Sequence, residues 1–319
     1  MSIPTIKTFT IKNDLGLIVK LADYGARIVS IELAGQYKSV NVACGYADIQ
    51  DYLEDDFYMG ATIGPIANRI ADGKLNIENR EYQLPQNHGD HCLHGGDQSF
   101  DMQTWKCEHH DQSSVEFSLV YGENPESLPG NLKLLTRYSL TGQQLKIEYE
   151  GQTDKATYIN LSNHVYLNLN GEANTIHDHE FALFSDAYAQ VDDFGIPSGE
   201  RQITNNPLSY SLNGQSAYPD LQDKVDHHFI VDEDDSSLKA FAYIKSQSTG
   251  ISVLMSSTKP GLQFYTGQFL SEPFKAFQGF CIESQFAPDA INQENFISPL
   301  TTPKTPYYHQ TTFVFDWPI

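Results

Sequence analysis

The chain has 319 residues, 40% of them hydrophobic, with 18 tyrosines and 18 phenylalanines, which is ample material for a large core and excludes a disordered chain. Forty-one acidic against 20 basic residues give a formal net charge of −21; such a field repels phosphate backbones and anionic membranes, which excludes nucleic acid and membrane as partners and leaves a neutral small ligand. Cys44, Cys92, Cys107 and Cys281 show no C-x-x-C spacing, and the N-terminal MSIPTIKTFTIKNDLGL has no basic flank or apolar core of a signal peptide, so reduced thiols in the cytoplasm are expected.

From Ile6 to Leu33 short strands alternate with turns. Phe9 and Ile11 precede a turn at Asn13, Asp14 and Gly16; Leu17, Val19 and Leu21 follow; Tyr24, Gly25 and Ala26 bend the chain into Ile28, Ile31 and Leu33. Asp51 to Asp56 reads as a solvated acidic loop without a binding role. The stretch from Gly60 to Gly96 is denser in polar residues suited to hydroxyl recognition. Asn68 and Arg69 sit in a turn-prone segment closed by Asp72 and Gly73. Leu75 and Ile77 then alternate with polar neighbours, Asn79 and Arg80 are expected to turn, and Tyr82 and Leu84 alternate on the return.

After Pro85 comes an irregular loop carrying His88, His91 and His94, the last followed by Gly95 and Gly96, where only backbone can pass closely. Three imidazoles could hold zinc. Their i, i+3, i+6 spacing converges only on a helix, however, and Pro85, Gly89, Gly95 and Gly96 argue against one, so no metal is expected and His88 and His91 read as solvated loop residues.

Further on, Val115, Phe117 and Leu119 alternate with polar residues, Tyr121 to Gly130 is a turn region with two prolines, and Leu132 to Leu140 is extended. Leu145, Ile147 and Tyr149 against Lys146, Glu148 and Glu150 form the clearest half-buried strand. No long helical stripe and no internal repeat is visible. The fold class is all-β, and pattern alone gives a sandwich or a barrel. Large all-β architectures run past about 200 residues as one unit, so residues 1–319 are expected to form a single domain.

Six motifs in order, YGARIVSIEL, ANRI with the hairpin and LHGG, SNHVYLNLNG, VDHHF, LQFYTG and GFCIESQFAPDAIN, resemble the aldose 1-epimerase (galactose mutarotase) family over nearly the whole chain. The resemblance implies a large antiparallel β-sandwich of the supersandwich type. It also implies interconversion of the α and β anomers of free aldohexoses such as galactose and glucose, with no cofactor and no metal. That reaction removes a proton from the anomeric hydroxyl and delivers one to the ring oxygen, so it needs two groups of unlike protonation state whose roles reverse on re-closure.

Glu283 in GFCIESQFAPDAIN matches the family's base; it follows an apolar run, Phe280 to Ile282, where partial burial would raise its pKa toward the working pH. Read alone, it is a strand glutamate facing solvent. His164 matches the family's general acid. Ser162, Val165 and Leu167 depart from the family's T-N-H-S-Y-F-N-L, whereas Asn163, His164, Tyr166, Asn168 and Leu169 keep it. His94 would donate to the oxyanion developing on ring opening and could share the acid role. Asn68, Arg69, Tyr166, Asp226 and Gln263 match positions that bind sugar hydroxyls, a task to which amides, guanidinium and carboxylates are suited. Asp226 stands in an acid-rich segment with Asp220, Asp223 and Asp232 to Asp235, and by itself reads as one more solvated acid.

Pro65 stands where many relatives have arginine, and Gln268 where asparagine is common; both bear on sugar preference and loop shape. Cys281, two residues before Glu283, falls on the same strand face and is expected to line or adjoin the site. Two alternatives remain open: a hexose 6-phosphate 1-epimerase of the same fold, which would want a basic cluster, and a non-catalytic carbohydrate-binding sandwich, which would need no Glu283 and His164 pair. The sequence is silent on the preferred aldose and on oligomeric state, monomer or weak dimer.

Overall fold

The alternation at Leu145, Ile147 and Tyr149 becomes the strand Gln144–Thr153, with those three side chains buried, at the middle of a ten-stranded antiparallel sheet. The computed structural model describes residues 4–35, 38–124, 128–171, 174–203, 208–211, 215–216, 224–231 and 236–318. Pro125 and the acids Asp220, Asp223 and Asp232 to Asp235, named above around Asp226, lie outside the described residues.

The large sheet has the long hairpin Leu132–Thr141 and Gln144–Thr153 beside the C-terminal strand Tyr307–Asp316, which pairs on its other edge with Ser252–Ser257. A five-stranded sheet runs in the order Pro197–Ile203, Ala187–Val191, Asp226–Ile230, Gly261–Tyr265 and Cys281–Gln285. A four-stranded N-terminal sheet spans Thr8–Lys12, Leu17–Ala22, Arg27–Ala34 and Ser39–Asn41. Among the described residues the helical elements are short 3-10 turns, the longest being Ile49–Glu54. The all-β reading holds.

Aromatic contacts join the sheets. Phe181 of the large sheet meets Phe264 of the five-stranded sheet at 5.0 Å between ring centroids, and Phe9 of the N-terminal sheet meets Phe117 at 5.3 Å. These side chains belong to, or pack against, one apolar cluster that runs from Ile11 to Trp317. Burying aromatic area between sheets in this way is the dominant favourable term for a sandwich.

Local details differ instructively from strict alternation. Ile28 and Ile31 are both buried because Val29 is an extra residue in their own strand, opposite the step from Lys20 to Leu21, and shifts the register. The hairpin Lys74–Ile77 and Arg80–Gln83 forms with Leu75, Ile77 and Tyr82 inward. Its turn is Glu78 and Asn79, both at positive φ, rather than Asn79 and Arg80; a two-residue loop of that hand matches strand twist, so Arg80 already belongs to the return strand.

Candidate active site

The site is assembled where the five-stranded sheet, through Asp226, Tyr265 and Glu283, meets His164, Tyr166 and the loops between Asp55 and Met102. A cavity of about 410 Å³ opens there, within the size range of small-molecule pockets. Glu283, His164, His94, Asn68, Arg69, Tyr166 and Asp226 line it, together with Asp55, Asp56, Phe57, Tyr58, His88, Tyr265 and Phe269. Seven of the eight residues singled out from sequence therefore line one cavity, and Gln263 is not among its lining residues.

Glu283 lies on Cys281–Gln285, a strand buried along its whole length. Ile282 belongs to the main core cluster, and Ser284 bonds to Thr311 of the large sheet at 2.6 Å. Period two then sends Cys281 and Glu283 to the opposite face. Glu283 is 2% exposed and its Oε2 has no partner. Directly across the ladder is Gln263, whose Nε2 donates to Asp226 Oδ1 at 2.7 Å. Gln263 thus reaches the site through Asp226, which it orients. Asp226 is no solvated acid: its other oxygen faces the Arg69 guanidinium at 3.5 Å.

His164 directly follows a short strand, Ser162–Asn163, paired with Thr62–Ile63. Its backbone is held at both groups, N–H to Ala61 O at 2.9 Å and C=O from Gly60 N–H at 3.0 Å. Asn163 explains its place in the motif, since its amide donates to Gly60 O and its Oδ1 accepts from Val165 N–H. The ring of His164 presents Nε2 to Glu283 Oε1 at 3.8 Å and Nδ1 to Cys281 Sγ at 3.6 Å. Tyr166 packs against it, centroids 5.1 Å apart. Cys281, fully buried, adjoins the site from behind His164 rather than lining it.

The third wall is the pair of loops around Asn68 and His94. Asn68 N–H donates to His94 Nδ1 and His94 N–H donates to Asn68 O, each at 3.0 Å. With Nδ1 accepting a backbone proton, the neutral ring carries its own proton on Nε2, available to the cavity. Asn68 and His94 both adopt positive φ, a costly backbone state for residues with side chains and one that clusters at functional sites. Gly95 is needed next to them: a Cβ there would sit 2.6 Å from both Gly64 O and Pro65 Cδ. Asp289 accepts from Ala71 N–H and donates its own N–H to Arg69 O, fixing the segment that carries Arg69.

One segment departs from its sequence reading. The acidic run Asp51 to Asp56 does contain exposed acids, but the Asp55 side chain is 2% exposed and pairs with the equally buried Arg27 at 2.8 Å. Arg27 also donates to the carbonyls of Tyr24, Met59 and Asp101. Asp55 in turn accepts from Phe57 and Met59 N–H. This buried pair shapes the loop that delivers Tyr58, itself at positive φ, edge-on to His94 at 4.6 Å. Tyr58 and the exposed Phe269, stacked on Tyr265, are site residues that local pattern did not single out. The only hint was the distant Arg27 in YGARIVSIEL, whose role requires a partner 28 residues away.

Burial governs the electrostatics. It lowers His164 to about 4, and it raises Glu283 well above the ordinary carboxylate range, with Asp226 repulsion adding and Arg69 opposing. His94 is pushed well below the usual imidazole value by burial, then by His164 and Arg69. A neutral His94 with Nε2–H inward is a hydrogen-bond donor, which fits stabilising an oxyanion better than sharing the acid role. The zinc reading of the three loop histidines finds no geometric support among the described residues: His91 Nδ1 accepts from Asp72 N–H, and only His94 of the three is buried.

Comparison with known proteins is consistent with this geometry. The family model described as aldose 1-epimerase matches residues 7–314. Among characterised relatives, the galactose mutarotase of Homo sapiens is 35% identical, over 98% of this chain and 94% of that protein. The aldose 1-epimerase of Escherichia coli K12 is 31% identical, over 92% and 90%. Two solved structures have the same fold: an aldose epimerase homologue from C. elegans (TM-score 0.90, 24% identity, 99% and 100% coverage) and a galactose 1-epimerase from Lactobacillus acidophilus (TM-score 0.82, 24% identity, 99% of each chain).

Proposed function

Because the chain belongs to the aldose 1-epimerase family, we propose that it interconverts the α and β anomers of free aldohexoses such as galactose and glucose by acid–base ring opening and closure. The observation that carries the residue assignment is the buried Glu283, with an unpartnered oxygen, facing His164 at 3.8 Å in a cavity walled by hydroxyl-binding groups.

Burial lowers His164 and raises Glu283, so between their two values the pair together holds one proton. In the ligand-free cavity burial favours the uncharged arrangement, carboxyl and neutral imidazole. A bound sugar supplies hydroxyl donors to the bare Oε2, favouring carboxylate and imidazolium. Glu283 then takes the proton of the anomeric hydroxyl while His164 delivers one to the ring oxygen. The bond from C1 to the ring oxygen breaks, and the carbonyl turns about its bond to C2. Closure on the opposite face returns both protons by the reverse transfers. His94 donates from Nε2 to the oxygen that gains charge. Arg69, Asp226, Asn68 and Tyr166 hold hydroxyls, and Gln263 holds Asp226. Residues 1–319 act as one mutarotase-like β-sandwich domain, a reading supported by the single main core cluster. Cytoplasmic residence is supported by four free cysteines. Among the described residues no helix is long and apolar enough to cross a membrane.

Polarimetry on freshly dissolved α-anomers tests the reading. Glu283→Gln keeps shape and one acceptor but removes the base, so turnover should fall at least about a hundredfold with sugar affinity changed less than about tenfold. His164→Gln should behave alike, whereas Asp226→Ala should also raise the Michaelis constant. Wild-type protein that never exceeds the spontaneous rate on any common aldose would overturn the enzyme; a fully active Gln variant would remove Glu283 as its base.

A further inference from the structure

One group of side chains at the site exceeds what ring opening requires. Cys281 Sγ lies 3.6 Å from His164 Nδ1, and Glu283 Oε1 lies 3.8 Å from the other nitrogen of the same ring. One ligand atom from each of the three falls within 4.8 Å of the others, the only such group of His, Cys, Asp or Glu among the described residues. All three side chains are buried, and Glu283 Oε2 has no partner. Cys281 has no place in the proton transfers.

We propose that a thiophilic divalent cation, zinc in the first instance, binds between Cys281, His164 and Glu283 and switches the enzyme off. Thiolate, imidazole and carboxylate are the donors zinc takes, whereas calcium and magnesium want oxygen alone. Tetrahedral bonds of about 2.0 to 2.3 Å put donors roughly 3.3 to 3.7 Å apart. The group needs side-chain rotations of about an ångström at its widest separation. The fourth position faces the sugar cavity, which is also the route of entry, since His164 and Glu283 line it. Binding releases the thiol proton and any proton on Glu283 to solvent, and occupies the base and the acid at once. Zinc is therefore an inhibitor competing with sugar, not a cofactor.

The inhibitory part rests on the mutarotase reading; the binding part does not, and the experiment separates them. Cobalt(II) titrated into wild-type protein should give a thiolate-to-cobalt charge-transfer absorption that is missing from both Cys281→Ser and Cys281→Ala. In buffered free zinc, wild-type mutarotation should be inhibited and restored by chelation. The inhibition constant should rise at least about tenfold in the Cys281 variants, and Cys107→Ser, which removes a thiol outside the cavity, should leave it unchanged. No charge-transfer band, or equal zinc inhibition of wild type and both Cys281 variants, overturns the site. A band from a protein that never exchanges anomers would leave the metal site standing and sink the mutarotase reading.

Discussion

Glu283 and His164 are displaced in opposite directions by the same cause, and this fixes the sign of the pH dependence. His164 is neutral above about pH 4, and Glu283 keeps its proton to a pH well above the ordinary carboxylate value. Between those limits the pair holds one proton, the inventory the reaction needs. As pH falls through about 4 a second proton arrives and no base is left. As pH rises through the elevated value of Glu283 the shared proton is lost and no acid is left. The profile of kcat/KM is expected to be bell-shaped, its limbs belonging to the pair rather than to either residue. An acid limb centred near 6.5, where an unburied imidazole titrates, would contradict the assignment.

At the scale of the element, chemistry depends on loops that are held rather than merely connected. The loop carrying Tyr58 is tied to the N-terminal sheet by the buried pair of Arg27 and Asp55. Arg27→Met removes a guanidinium with four hydrogen-bonded acceptors and strands the Asp55 carboxylate in the interior. Breaking a buried pair from one side costs about 3–5 kcal/mol. Urea unfolding should show a loss of that order, accompanied by lower turnover as Tyr58 leaves His94. If stability changes by less than about 1 kcal/mol, Asp55 is not held as described.

For the molecule as a whole, net charge and pocket charge point the same way. The −21 of the chain is matched at the cavity by Asp56 and Asp226, with Asp55 already paired to Arg27, against Arg69 as the only Arg or Lys on its wall among the described residues, and that guanidinium already faces Asp226. Neutral sugars feel none of this, so their kcat/KM is expected to change little with ionic strength. A hexose 6-phosphate, carrying a dianion toward these carboxylates, should be turned over at least about tenfold less efficiently than the free hexose. The reverse preference in a side-by-side polarimetric assay would favour the phosphosugar epimerase instead.

The sequence by itself determined the strand layers and named most of the residues that the fold brings to one cavity. Alternation at Val115, Phe117, Leu145, Ile147 and Tyr149 is a property of neighbouring residues, and the polar residues of ANRI, LHGG, SNHVYLNLNG and GFCIESQFAPDAIN carry their chemistry in their identity. What it missed was set by contacts across long separations. Asp55 reads as a solvated acid until Arg27 is folded against it. Gln263 shows no link to Asp226 until folding brings its amide to that carboxylate. His94 can be acid or donor until the Asn68 N–H takes its Nδ1. Cys281 becomes a neighbour of His164 only when the fold brings together two residues 117 apart in the chain. Period and residue type are local and therefore legible; burial, ionic partners and tautomer depend on which distant groups the fold brings within a few ångströms, and tertiary structure alone decides that.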